Sequence, residues 1–381
     1  MAGFVIAISK DSKDAMIEAM EHGIFGMRFP SKVSIWQKIY ADYMTMAAGN
    51  HIYLFSDRML YGVGRLINIK NECRFWNIDK EYRRENCIHN GKMVWGNEEI
   101  IRCFFIFEPA PYFFKNGIDM DELLHGNPPE MKMLPAFNGR GFVKIDDEED
   151  ALVYEMLIRK NKDSLCKDSN NIYRFNDEVH NMLKQKDLEN YILDSKSIFD
   201  IIDNHPKTKR FNSESILETI ICDKLNRGEY KDLFGVWNYI SRQVIASPLK
   251  PSIWADAMDI FGYEIINDAT IENYPMVKAR FMVAELKKDE AGDDVIPQLM
   301  KYVDWIRDEY AHGDYGMIDA YIIARSFNED FKEKCRQEMV RKYVKGYHTS
   351  ELAEWDYHNV KLVSYEYTKN EGLILHEEPI V

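Results

Sequence analysis

The sequence predicts an α/β protein of two domains: a small mixed β-barrel, then an α/β sandwich around a mixed central sheet. Three observations predict it. Up to about residue 110 the apolar residues fall in short runs rich in β-branched and aromatic side chains, which suit a pleated, half-buried surface. Beyond about residue 212, strand-like runs alternate with stretches whose apolar residues recur at helical spacing. Between them the chain turns polar, in "NKDSLCKDSNN", "LKQKDLENY" and "NHPKTKR". We therefore divide it into a first domain over 1–160, a helical connector over 161–211 and a second domain over 212–381.

In the first domain, strands are expected over 4–9, 50–56, 59–69 and 100–109. "SKVSIWQKIYADYMTMA" reads as a helix with Ile35, Ile39 and Tyr43 on one side. "GIDMDELLHGNPPE" reads as a helical turn and loop, and the acids opening "DDEEDALVYEMLIRKN" suit a helix N-terminus. In the second domain "SESILETIICDKL" is a helix, "AMDIFGYEII" and "ARFMVAELKK" are strands, and "DDVIPQLMKYVDWIRDEY" is a helix. "GMIDAYIIARS" is then a strand, "NEDFKEKCRQEMVRKYV" a helix and "NVKLVSYEYT" a last strand.

With 381 residues, 46% of them hydrophobic, two domains can each bury a core. No run of 18 apolar residues appears, and "MAGFVIAISKDSKD" lacks a basic region followed by an apolar core, so a cytoplasmic protein with no membrane partner is expected. The six cysteines contain no Cys-x-x-Cys pair, and the spacing of Cys73, Cys87 and His89 matches no common zinc pattern. A net charge of −14 disfavours indiscriminate coating of nucleic acid, which rests on Lys and Arg neutralising phosphates. Local basic stretches at 206–210 and 336–345 read as solvated helix faces or as phosphate contacts.

The second domain carries the chemistry. In "ARFMVAELKK" the strand period of two puts Phe281, Val283, Glu285 and Lys287 on one face. Alone, Glu285 and Lys287 read either as a salt-bridged strand end emerging into water or as a pair occupied with a ligand. On the preceding strand Asp259 shares a face with Phe261 and Tyr263, so pairing of the two strands would bring Asp259 toward Glu285. In the earlier helix Glu214, Glu218, Ile221 and Leu225 share a face, making Glu218 either a third acid or a boundary residue. Gln298 and Tyr302 stand at i and i+4 on the following helix.

Helix-Glu, strand-Asp, Glu-x-Lys and Gln-x-x-x-Tyr, in that order, resemble the PD-(D/E)XK nucleases of the restriction-endonuclease-like fold. "VAELKKDEAGDDVIPQLMKYVDWI" is similar to the C-terminal domains of mismatch-type endonucleases, the likeness covering 212–330 and sharpest over 279–305. The resemblance implies a Mg²⁺- or Mn²⁺-dependent endonuclease, with metal held by Asp259, Glu285 and Glu218 and catalysis served by Asp259, Glu285, Lys287, Glu218, Gln298 and Tyr302. Hard cations of this kind take carboxylate oxygens, waters and substrate phosphate as ligands. Asp259 precedes Glu285 by 26 residues, a longer gap than many members have, which leaves Asp256 and Asp268 as fallback ligands.

In the first domain "AAGNHIYLFSDRMLYGVGRLINI" resembles the strand-turn-strand of EVE and PUA-like domains, although Gly49-Asn50 replaces their Gly-Asp. That resemblance implies a reader of modified or flipped bases, since a flipped base needs a stacking wall. Trp36, Tyr40, Tyr43, Tyr53 and Trp95 are the candidate wall residues, with core packing as the alternative for each. Reader plus cutter implies a restriction or antiviral defence role, with DNA or else RNA as partner. A homodimer or higher homo-oligomer is expected, because twofold symmetry matches a duplex. The alternatives are a repair nuclease and a non-catalytic nucleic-acid or nucleotide sensor.

Overall fold

The computed structural model describes the chain except residues 1, 11–12, 29–39, 77–100, 127, 137–141, 167–168, 196–210, 212, 247–255, 267–276, 346–350, 369–371 and 381. It consists of two compact units, Met1–Leu193 and Asp194–Val381. Both are mixed α/β. Among the described residues no helix is long and apolar enough to cross a membrane.

The first unit is built on a mixed sheet of eight strands: β1 (Gly3–Ala7), β2 (Ile24–Arg28), β3 (His51–Ser56), β4 (Met59–Leu66), β5 (Arg74–Trp76), β6 (Ile101–Pro109), β7 (Ile118–Asp119) and β8 (Phe142–Ile145). They run in the order β2-β6-β4-β3-β1-β8, with β5 on β6 and β7 on β4. β1 and β3 are parallel, Gly3 facing His51, and the other pairs are antiparallel. Helix α1 (Lys13–His22) lies between β1 and β2 in the chain, and α2 (Met120–Gly126) follows β7. Helix α3 (Asp147–Lys160) starts where the acids predict: the Asp146 side chain accepts the Glu149 N–H, satisfying a donor the helix leaves open.

The polar stretch read as a connector is partly folded onto this unit. Helix α4 (Glu178–Lys184) buries Val179 and Leu183, and with Leu188 they pack on Ile24, Phe75, Phe104 and Ile106. Each such side chain contributes roughly 1.5–3 kcal/mol when removed from water, so apolar positions spaced along a polar segment suffice to dock it.

The second unit centres on six strands in the order β16-β15-β12-β11-β10-β9. These are β9 (Tyr239–Ile245), β10 (Ala257–Ile266), β11 (Val277–Leu286), β12 (Ile318–Ala324), β15 (Val360–Thr368) and β16 (Gly372–Glu378). β9, β10 and β11 form an antiparallel meander, β11, β12 and β15 are parallel, and β16 closes the edge antiparallel to β15. Helix α5 (Glu214–Asn226) places Leu217, Ile220 and Ile221 in one core with Ile260, Met282, Ala284 and Leu286. The alternate residues Phe261 and Phe281 stack on each other and meet Tyr310, just past α6 (Val295–Glu309), the crossover between β11 and β12. The sheet is thus buried on both faces, which explains the nearly continuous apolar run of β11.

One expected helix changes partway along. The helix expected over 328–344 stops as α7 (Glu329–Glu338), and Arg341–Val344 becomes β13, paired with β14 (Leu352–Trp355). Pairing with the next strand outweighs local helical preference there, and the alternating burial of β13 shows the change of period.

Candidate active site

β10 and β11 pair with Ile260 opposite Ala284 and Phe261 opposite Val283, and one further step in that register sets Asp259 opposite Glu285. Asp259 Oδ2 accepts the Leu286 N–H at 2.9 Å, and its Oδ1 accepts Gln243 Nε2–H at 2.9 Å. Glu285 is 1% exposed. Its Oε1 takes the Lys287 ammonium at 2.6 Å, while its Oε2 is buried with no hydrogen-bond partner among the described residues.

Glu218, from α5, reaches the same neighbourhood. Its two oxygens accept from Arg242 at 2.7 Å and Gln243 at 3.1 Å, so it meets Asp259 through the Gln243 amide. On α6, Gln298 Nε2–H donates to the Tyr302 oxygen at 3.0 Å, and the Tyr302 hydroxyl donates to the Ala257 carbonyl at 2.9 Å. These two residues therefore brace the start of β10, two positions before Asp259. Glu218 and Asp259 are thus joined through Gln243, Glu285 and Lys287 pair with each other on the neighbouring strand, and Gln298 and Tyr302 reach only the β10 backbone.

The electrostatics follow from putting acids in a dry place. Burial, then the charge of Glu285, raises the Asp259 carboxyl above its ordinary value. Burial raises Glu285 as well, against the pull of Lys287 and with help from Glu214 and Glu218. Burial pushes Glu218 up to about 7, although Arg242 opposes it. Lys287 is drawn down by burial but raised overall by its contact with Glu285 and the nearby acids. Three carboxyls share the site with two cations, and burial works against charging all three at once.

Sequence reasoning missed three contributors. Glu214 lies one turn before Glu218, and its field reaches Glu285 and Lys287. Arg242 and Gln243 sit in β9, a strand not assigned from the sequence; three consecutive polar residues inside "YISRQVIA" were the available signal. Gln243 has φ +51°, a left-handed backbone in mid-strand, which costs on the order of 1–3 kcal/mol for a residue with a Cβ. Of the fallback acids, Asp256 is ion-paired with Lys301, and Asp268 lies outside the described residues.

In the first unit, Trp36 and Trp95 lie outside the described residues. Tyr40, Tyr43 and Tyr53 are core residues, at most 1% exposed. The Tyr43 hydroxyl donates to the Phe104 carbonyl at 2.8 Å, and the Tyr53 hydroxyl to Asp150 Oδ1 at 2.8 Å. None of the three offers a ring face to solvent. Cys73 is buried, and burial pushes its thiol up to about 12; Cys87 and His89 lie outside the described residues, as do 206–210. In the basic stretch 336–345, Arg336, Arg341, Lys342 and Lys345 are each matched by an acid: Glu333, Asp304, Glu354 and Asp314.

No family model matches the chain, and no curated protein matches its sequence. Among solved structures it is similar to Rpa0253 from Rhodopseudomonas palustris, determined by NMR, at 12% identity and a TM-score of 0.27 over 45% of this chain and 98% of that one. It is similar to the crystal structure of Atu2648 from Agrobacterium tumefaciens at 10% identity and 0.25, over 41% and 92%. It is also similar to the YTH domain of Pho92 in complex with m6A at 15% identity and 0.27, over 46% and 90%. Likenesses this slight carry no argument about what the chain does.

Proposed function

We propose that the second unit is a divalent-cation-dependent hydrolase of nucleic-acid phosphodiester bonds, with DNA the favoured substrate. The observation that carries this is Glu285 Oε2, a buried carboxylate oxygen without a partner, next to Asp259 and with an ammonium on its sister oxygen. A protein rarely leaves such an oxygen unmatched unless something else completes it. Among the described residues no three Asp, Glu, His or Cys side chains gather into a ready metal cage. Mg²⁺ does not need one, because it keeps several waters and uses one or two carboxylates plus substrate phosphate. Asp259 and Glu285 fit that requirement and would hold Mg²⁺ or Mn²⁺, with Glu218 behind them.

When bound, such a cation polarises a phosphoryl oxygen and makes water a better nucleophile. The remaining work falls to the chain. Lys287, held beside Glu285, would orient the attacking water and meet the charge that develops on the phosphoryl oxygens. Tyr302 and Gln298 would hold β10, and so the Asp259 carboxylate, in place. The first unit would supply recognition of modified or flipped bases, a role supported by the resemblance of residues 47–69 to EVE and PUA-like segments and bearing on restriction or antiviral defence. A homodimer would let two such sites act on two strands.

The test is incubation of the purified protein with Mg²⁺ or Mn²⁺ and a panel of plasmid and phage DNAs differing in base modification, with RNA alongside. Cation-dependent cleavage of one class, lost in Glu285→Ala, is expected. No cleavage of any member, or cleavage that persists in Glu285→Ala and in Lys287→Ala, would sink the assignment.

A further inference from the structure

Gln243 holds an unusual place in the second unit. β9 and β10 pair with Met258 opposite Val244 and Ile260 opposite Arg242, and between these the ladder skips the step that would join Asp259 to Gln243. At that skipped step Gln243 takes φ +51°. In a regular strand residues 242 and 243 would point to opposite faces. Here both reach Glu218, Arg242 at 2.7 Å and Gln243 at 3.1 Å, and the Gln243 amide also donates to Asp259 Oδ1 at 2.9 Å. The break in alternation is what lets one amide join the helix acid to the strand acid.

We infer that Gln243 is a positioning residue, whose strained backbone aims its amide to fix the Asp259 carboxylate for cation binding and to couple it to Glu218 on α5. This rests on the nuclease reading above. The side-chain amide has two hydrogens, and each is given to one carboxylate oxygen, so a single amide holds the half-buried Asp259 beside the buried Glu218. Asp259 Oδ2 is tied to the Leu286 N–H, so the Gln243 amide sets the remaining degree of freedom, the direction of Oδ1. Strain kept at such a point is the mark of a position over-determined by function.

The full chain tests this with two variants and three measurements: Mn²⁺ retention by electron paramagnetic resonance, melting in EDTA, and the rate of cleavage of the duplex that the wild type cuts. Gln243→Gly removes the bridge and relaxes the backbone. Gln243→Asn keeps an amide and tolerates the left-handed backbone, but is one methylene too short to span both acids. Gln243→Gly should retain Mn²⁺ about tenfold less tightly and cleave about ten- to a hundredfold more slowly, the usual range for residues that orient a ligand from behind. It should melt no lower than the wild type, and Gln243→Asn should fall between. Wild-type Mn²⁺ affinity and cleavage in Gln243→Gly would overturn the inference. So would a loss of activity that merely tracks a lowered melting temperature, because that is a structural role. If the wild type itself neither retains Mn²⁺ nor cuts, behaving like Glu285→Ala, the nuclease reading fails and takes this inference with it.

Discussion

Each unit buries a group of acids, and the two groups are finished differently. In the first, Glu149 is fully buried, yet its oxygens accept from the Met133 N–H at 3.2 Å and the Leu134 N–H at 2.9 Å. Its neighbour Asp150 has one oxygen on the Tyr53 hydroxyl and the other on His51 Nδ1, both at 2.8 Å, and the His51 ring stacks on Tyr154. In the second unit, Asp259 and Glu218 are bridged by an amide, but Glu285 keeps one bare oxygen. Satisfied acids tie helices and loops to a sheet. An acid left incomplete at the same depth costs stability.

The sharpest way to break this comparison is to remove acids from each group in turn. Glu285→Ala or Lys287→Ala should cut cation-dependent cleavage about a thousandfold, the scale for removing a principal electrostatic contributor, while circular dichroism shows the fold retained. Glu149→Ala should do the reverse: cleavage per folded molecule unchanged, and the unfolding free energy in urea lowered by about 3 kcal/mol, because buried backbone N–H groups lose their acceptor. An active-site loss from Glu149→Ala, or unfolding of Glu285→Ala, would erase the distinction.

A smaller effect lies in pH. Glu218 is raised from 4.5 to about 7 on folding. The folded state therefore binds the proton more tightly, and this contribution is fully present below about pH 4.5 and lost as pH rises through about 7. For the cation-free protein the loss between pH 5 and 8 amounts to roughly 2 kcal/mol by linkage, and Glu218→Gln should flatten it in melting curves taken across that range. Adding Mn²⁺ at pH 8 should restore stability to the wild type but not to Glu285→Ala. The smallest expected change is Tyr53→Phe, which removes one buried hydrogen bond to Asp150 and should cost about 1 kcal/mol in the same urea titration.

Much of the second unit was legible from local pattern. β10 over Ala257–Ile266 and α5 over Glu214–Asn226 announce themselves by period. Asp259, Glu285 and Lys287 stood out because acids and an amine interrupt apolar strands. Gln243 did not stand out, because its backbone conformation is imposed by the strand beside it. Tyr40, Tyr43 and Tyr53 show the converse limit: a tyrosine on a strand or helix looks alike to sequence reasoning whether it lines a pocket or fills a core.

Residues near one another in the chain were enough to set much of the alternation of strands and helices and the short spacing that puts Glu285 and Lys287 on one face. Contacts beyond each segment's own residues were needed to make Arg341–Val344 pair as a strand and to fold 178–188 onto the first unit. They also made Gln243 join Glu218 to Asp259, and left Glu285 Oε2 without a partner. Each of these depends on which distant backbone or carboxylate arrives alongside, and burial then fixes the energy of the encounter.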